Sequence, residues 1–285
     1  MMQSRRRPTL RLRRLAAEMR RRREEAGLTQ DEVFEQTSIN PATLYRVENA
    51  ISRPQLRTLR ALLDLYGVND ERTAYLLTLL RESDQRGWLE TIGIDLPERL
   101  TTYVEFEDEA RIVWNYQPSF VPGLLQTEAY ARAIVHGLMP EASRAAVDSR
   151  VAVRMHRQRL LTRENPLRFW TIMSEGALRH RVGGSDVMRE QMTRILEAAD
   201  APNVTMQVIP FDAGAHPGML GSFAVLRFGQ EDLPDVVYVD SMAGDLFLDQ
   251  SADVERCAST FEYLRAVALS PEASAAFVAK LTERT

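Results

Sequence analysis

Ala42, Thr43, Tyr45 and Arg46 set a small residue, a hydroxyl with a methyl, a phenol and a guanidinium close together in the chain. On the outward side of one helix, that set suits base edges and phosphates, because it combines charged and neutral hydrogen-bonding groups with apolar contact. Other constellations are poorer. His136, His156, His180 and His216 are scattered, and no two have the i, i+4 spacing that would place both imidazoles on one metal. The chain has no G-x-S-x-G nucleophile turn, P-loop or dinucleotide fingerprint; "GAHPGMLG" is glycine-rich but reads as a loop before a strand. Glu175, at a strand end, and His216, in that loop, could face a common cleft as ligand-binding candidates, although a capping glutamate and a loop histidine is the plainer reading. Glu107 and Glu109 read as helix-surface charges. The expectation is therefore no catalytic residue, no metal and no cofactor: not an enzyme.

The elements that must position the first set lie in "LTQDEVFEQTSINPATLYRVEN", Leu28 to Asn49. An interior proline costs about 3 kcal/mol in a helix, so one helix cannot run through Pro41. Asn40 is a favoured N-cap, and proline at the first helical position gives up an amide that had no partner. Upstream, Thr29 and Glu32 form a Thr-x-x-Glu capping box for a helix beginning at Gln30. The pattern is helix, short turn, helix. Val33, Ile39, Leu44 and Val47 share the inward side, which leaves Ala42, Thr43, Tyr45 and Arg46 outward.

Leu12, Leu15, Ala16 and Met19 follow helical spacing just before this pair. After it, Pro54 stands near a helix start, Leu56, Leu59, Leu62 and Leu63 share one side, and Gly67 marks a stop. A fifth helix spans "DERTAYLLTLLRE", giving an all-α domain over residues 1–85. Over residues 10 to 68 the chain resembles the Cro/xenobiotic-response-element class of helix-turn-helix DNA-binding domains, through "GLTQDEVFEQTSINPATLYRVENA" and "RPQLRTLRALLDLYGV". That resemblance implies that Gln30 contacts DNA from the first helix of the pair, while Asn40, Pro41, Ala42, Thr43, Tyr45 and Arg46 face the major groove. The chain departs from the class at Phe34, where a small residue is common, and at Ser38 and Ala50, where glycine is common.

The 285 residues are 45% apolar and 27% charged, a globular composition long enough for two domains. The net charge of −4 hides an asymmetry: residues 1–80 hold 15 arginines against 10 carboxylates, leaving 21 cations against 30 carboxylates in the remainder. Arg5, Arg6, Arg7, Arg11, Arg13, Arg14 and the run Arg20 to Arg23 concentrate cations on the first helix and its leader, where Arg13 and Arg20 can neutralise phosphates without reading sequence. The arginine-rich start is not a targeting segment, since no apolar h-region follows and Glu18, Glu24 and Glu25 interrupt it. No 18-residue apolar span occurs, so the expectation is a cytoplasmic protein, nucleoid-associated when bound to DNA, without membrane contact. The lone Cys257 allows no internal disulfide and reads as a small core residue.

Residues 88–285 form the second expected domain, entered through the connecting run "RGWLETIGIDLPERL". Val121-Pro122-Gly123 marks a turn, Thr127 caps a helix, and a further helix covers roughly Pro140 to Leu161, with Arg150, Arg154, Arg157 and Arg159 among its polar positions. "LRFWTIMS", a helix from Ser185 to Ala199, and "NVTMQVIP" make a parallel βαβ unit. "SFAVLRF" and "VVYVDS", separated by a polar segment with Pro234, read as an antiparallel pair, and a helical end follows with a break at Ser270-Pro271. The fold class is α+β: five helices, then a mixed α/β domain on a small mixed sheet.

The runs "PGLLQTEAYARA", "RVAVRMHRQRLL", "EGALRHRVGG", "PNVTMQVIPFDAGAHPGMLGSF" and "VVYVDS" resemble the C-terminal domain of an actinobacterial, antitoxin-like regulator family, in which a helix-turn-helix precedes a domain of unknown function. The resemblance implies transcriptional control, often with a small companion protein encoded nearby, and implies no known ligand; the expectation is a sequence-specific regulator that binds double-stranded DNA and takes a companion protein or a small-molecule effector as its signal. The alternative is an antitoxin-like interaction component that binds DNA mainly for autoregulation. One recognition helix reads few base pairs, so a homodimer on inverted half-sites about 34 Å apart, or a multiple, is expected. The second domain would support that dimer and receive the effector or partner.

Overall fold

The computed structural model describes residues 10–82, 98–229, 235–241 and 244–283. The leader cations Arg5, Arg6 and Arg7, the connecting run from 86 to 97, and Pro234 lie outside the described residues. The chain divides into two compact units, Met1–Ile92 and Gly93–Thr285.

The first unit is built from five helices: α1 Leu10–Glu25, α2 Gln30–Thr37, α3 Pro41–Glu48, α4 Leu56–Leu65 and α5 Asp70–Glu82. Local chemistry sets their ends. Thr29 and Glu32 close the capping box on α2, and the Asn40 Oδ1 atom accepts from the Ala42 amide with Pro41 in the first turn of α3. Leu15, Met19, Val33, Leu44, Val47, Leu59, Leu62, Leu63, Leu76 and Leu80 make one core, with Ile39 packed at its edge. Leu56 corrects the expected apolar side of α4: at the first turn it is exposed, beyond the reach of that core.

Among the described non-glycine residues, only Ser38 (φ 59°) and Ala50 (φ 54°) adopt the left-handed conformation, at the two positions where the resembled class commonly has glycine. Ser38 ends α2 by donating its amide to the Phe34 carbonyl. A left-handed L-residue costs roughly 1–2 kcal/mol, partly offset by the 0.5–1 kcal/mol entropy that glycine loses on folding. Ser38 is exposed, so Ser38→Gly should stabilise the first unit by up to about 1 kcal/mol. Ala50 is only 5% exposed, and its lost methyl burial of about 0.8 kcal/mol should leave Ala50→Gly near zero. Denaturant midpoints of the two variants check the contrast.

The second unit is a mixed six-stranded sheet in the order β3-β2-β1-β4-β5-β6, with helices on both faces. Its strands are β1 Ile112–Gln117, β2 Arg168–Ser174, β3 Val204–Ile209, β4 Phe223–Arg227, β5 Val236–Val239 and β6 Leu246–Leu248. Its helices are α6 Glu98–Glu109, α7 Glu128–Leu138, α8 Arg144–Arg157, α9 Glu175–Arg179, α10 Ser185–Ala199, α11 Ser251–Val267 and α12 Pro271–Thr282. The β2–α10–β3 crossover is parallel and the β4–β5 pair antiparallel, as their sequences predict. Sequence reading missed β1, which runs parallel to β2 and antiparallel to β4 and so joins the two parts of the sheet.

Alternation along β1 separates the sheet faces. Tyr116 and Ile172 pack with Ile209 on Phe261 and Leu264 of α11, with Trp114 and Trp170 beside them. Asn115 and Gln117 point to the opposite face. Three expectations are corrected in this unit. Helix α8 starts at Arg144, because the Ser143 hydroxyl caps it, rather than at Pro140, and residues Gln158–Leu161 tighten into a 3-10 turn. Glu107 is not a surface charge but is 1% exposed, since Arg157 neutralises it from α8. Cys257 is half-buried rather than in the core, and burial raises its thiol pKa.

Candidate nucleic-acid interface

Helix α3 buries Leu44 and Val47 and exposes Ala42, Thr43, Tyr45 and Arg46, the division set by its 3.6-residue period. Tyr45 is 53% exposed, and no described side chain hydrogen-bonds the phenol of Tyr45 or the guanidinium of Arg46. Asn40 is exposed ahead of them, with its Oδ1 atom used as the cap and its Nδ2 donors outward. The α3 end is pinned by Glu48, which is 3% exposed. Its carboxylate accepts from Arg23 Nε at 2.7 Å and from Gln30 Nε2 at 3.0 Å, so α1, α2 and α3 meet at one side chain. Gln30 is thereby oriented and retains an amide oxygen and a second N–H. Sequence reasoning missed Glu48, although 44, 47 and 48 follow the i, i+3, i+4 pattern that marks an inward position.

The arginine run on α1 has internal duties that its composition does not reveal. Arg20 is exposed and donates to the Glu48 carbonyl at 3.1 Å and to Asn49 Oδ1 at 2.7 Å, which joins it to the end of α3. Arg21, Arg22 and Arg72 converge on Glu18, and Arg23 on Glu48. Arg13 stands apart, half-buried on α1. Burial alone would raise the Glu18 carboxyl, but hydrogen bonds from Arg72 and Arg21 outweigh it and hold the group below its ordinary 4.5. A depressed folded-state pKa means stability fully present above the unfolded value and lost as pH falls through the folded one. Glu18→Gln should therefore cost about 1–3 kcal/mol at pH 7 and progressively less on acidification below 4.5, as read from urea midpoints across pH.

The second unit holds a cavity of about 280 Å³ between the Asn115 and Gln117 face of the sheet and helices α6, α7 and α8. Arg157 and Glu107 form a bidentate pair in its wall, at 2.6 and 2.7 Å, and the Tyr103 hydroxyl donates to the same carboxylate. Asp240 and Asp245 stand together in its lining; burial first, then the neighbouring Asp245 charge, raises the Asp240 pKa, and the Arg154 charge opposes the rise. Glu175 and His216 do not line this cavity. Glu175 begins α9 and is occupied by Arg179 and by the Phe211 amide, while the His216 ring stands edge-on to Tyr116 at 6.2 Å. No group of three or more metal-ligating side chains occurs among the described residues, nor any helix long and apolar enough to cross a membrane.

The family described as "Domain of unknown function (DUF5753)" matches residues 100–280, and a helix-turn-helix domain matches residues 14–76. No curated protein and no solved structure gives a match.

Proposed function

Because the chain belongs to the DUF5753 family and carries a helix-turn-helix DNA-binding domain ahead of that region, we propose that it is a sequence-specific transcriptional regulator and not an enzyme. In this reading its second unit receives a protein or small-molecule signal. The observation that carries the DNA reading is the outer face of α3: Thr43, Tyr45 and Arg46 stand exposed on a helix anchored at both ends, by the Asn40 cap and by Glu48. Gln30, Asn40, Pro41, Ala42, Thr43, Tyr45 and Arg46 approach the bases in this reading, and Arg13 and Arg20 the phosphates. The protein acts in the cytoplasm as a homodimer, because two-fold pairing doubles the sequence that one helix can read.

Duplexes selected from a random pool by the full chain test this. Arg46→Ala should cost about 1–3 kcal/mol on the selected site and far less on scrambled DNA, whereas Arg13→Ala should weaken both alike and reduce the salt slope by about one. Equal losses on both duplexes for Arg46→Ala would contradict base reading. A footprint covering one asymmetric half-site at saturation would contradict the dimer. The acidic balance of residues 81–285 favours a protein partner as the second reading, an antitoxin-like component that binds DNA mainly for autoregulation. Genome-wide mapping separates the two, since autoregulation confines binding to the protein's own promoter.

A further inference from the structure

Helix α8 presents Arg150, Arg154 and Arg157 to the cavity at i, i+4 and i+7. Their circumstances differ. Arg157 is neutralised by Glu107, but no described carboxylate lies within ion-pair distance of Arg150 or Arg154. Arg154 donates one hydrogen bond, to Gln126 Oε1 at 3.0 Å, and Arg150 one, to the Ala146 carbonyl at 3.2 Å. Each guanidinium carries five N–H donors, so most of this capacity is unused. Burial, followed by the Arg157 charge, pushes Arg154 down to about 10, which still leaves it cationic at neutral pH. Asp240 is the carboxylate whose charge acts on Arg154, but it makes no ion pair with it, so the recessed cation is only partly offset and an anion in the cavity would relieve it.

Two further features define what that anion must carry. The Gln117 Oε1 atom is buried without a hydrogen-bond partner, and it needs a donor. Asp240 and Asp245, also in the lining, disfavour a second negative charge and favour an N–H or O–H group beside them. Leu124, Val135 and Val153 add an apolar wall. We propose that this cavity binds a small organic monoanion: its acid group lies on Arg150 and Arg154, its hydrogen-bond donor faces Gln117, and its apolar body lies against Leu124, Val135 and Val153. This deepens the signal-receiving reading, on which it rests, by naming the chemical class of the effector.

The probe is 8-anilinonaphthalene-1-sulfonate, which joins one sulfonate, an aromatic body and one N–H, with N-phenyl-1-naphthylamine as the same body lacking the acid. Titrated into the full chain and followed by fluorescence, the sulfonate should bind saturably, one per chain, at least tenfold tighter than the neutral amine. Arg154→Gln should weaken the sulfonate at least tenfold and leave the amine unchanged, while its thermal midpoint holds or rises because a desolvated charge held by no ion pair has been removed. Equal affinities for the two probes, or sulfonate binding indifferent to Arg154→Gln, would overturn the site. Loss of the folded transition in Arg154→Gln would overturn it too, since the guanidinium would then be holding the fold. A separate arm measures affinity for the selected DNA with and without saturating sulfonate. Arg154-dependent binding that leaves DNA affinity untouched would support the site and refute signal reception through it.

Discussion

Arg157→Ala should destabilise the second unit by about 3–5 kcal/mol, the penalty for stranding one half of a buried ion pair. Glu107 is 1% exposed and its two oxygens take two hydrogen bonds from the Arg157 guanidinium, which also stacks 5.0 Å over the Tyr103 ring. With the guanidinium gone, the carboxylate must be protonated or drag water into the wall between α6 and α8. The pair itself is a different quantity. Its desolvation consumes most of its attraction, so Glu107→Leu combined with Arg157→Met should recover most of the loss. Trp114, stacked on Phe261 at 5.1 Å, and Trp170, edge-on to the same ring, make tryptophan fluorescence in a Trp88→Phe background a direct reporter of this unit's unfolding. A loss below about 1 kcal/mol for Arg157→Ala would mean that the pair is solvated and the wall is loose.

Leu44→Ala should cost the first unit about 2–5 kcal/mol and with it the presentation of α3. Leu44 is fully buried among Val33, Val47 and Leu59, so truncation removes apolar contact and leaves a cavity that five short helices cannot close. Its neighbour provides the control: Tyr45 is 53% exposed, and Tyr45→Ala should change stability by less than about 0.5 kcal/mol while altering which DNA is bound. Every regular element among the first unit's described residues is a helix, so loss of its far-UV circular dichroism transition reads Leu44→Ala directly. Similar stabilities for the two variants would show that α3 is not seated as described.

The difference between these two sites follows the range of the interactions involved. The helix pair was legible because its signals act within four residues: the Thr29–Glu32 box, the Asn40 cap, Pro41 at the first turn and the 44/47 spacing. Even the left-handed Ser38 and Ala50 were flagged by their place in the motif. The same holds for α10, whose span is set by its own periodicity, and for the β2–α10–β3 unit, whose short connections leave one favoured hand.

Residue type alone left the rest open. Glu107 and Glu109 are similar acids on one helix, and only Arg157, 50 residues further on, decides that Glu107 is buried. Strand β1 reads as an ordinary apolar run until β2 and β4 pair on its two edges. The arginines of α1 and α8 look like solvated charge. Glu18 and Glu48 tie the first set into the core, while the folding of the sheet against α6 and α7 leaves Arg150 and Arg154 facing a partly open cavity. Helix caps and faces were thus determined by the sequence itself, because their free energy comes from near neighbours; counter-charges, strand order and the cavity were decided by the tertiary structure, because their partners are distant in the chain and meet only when it folds.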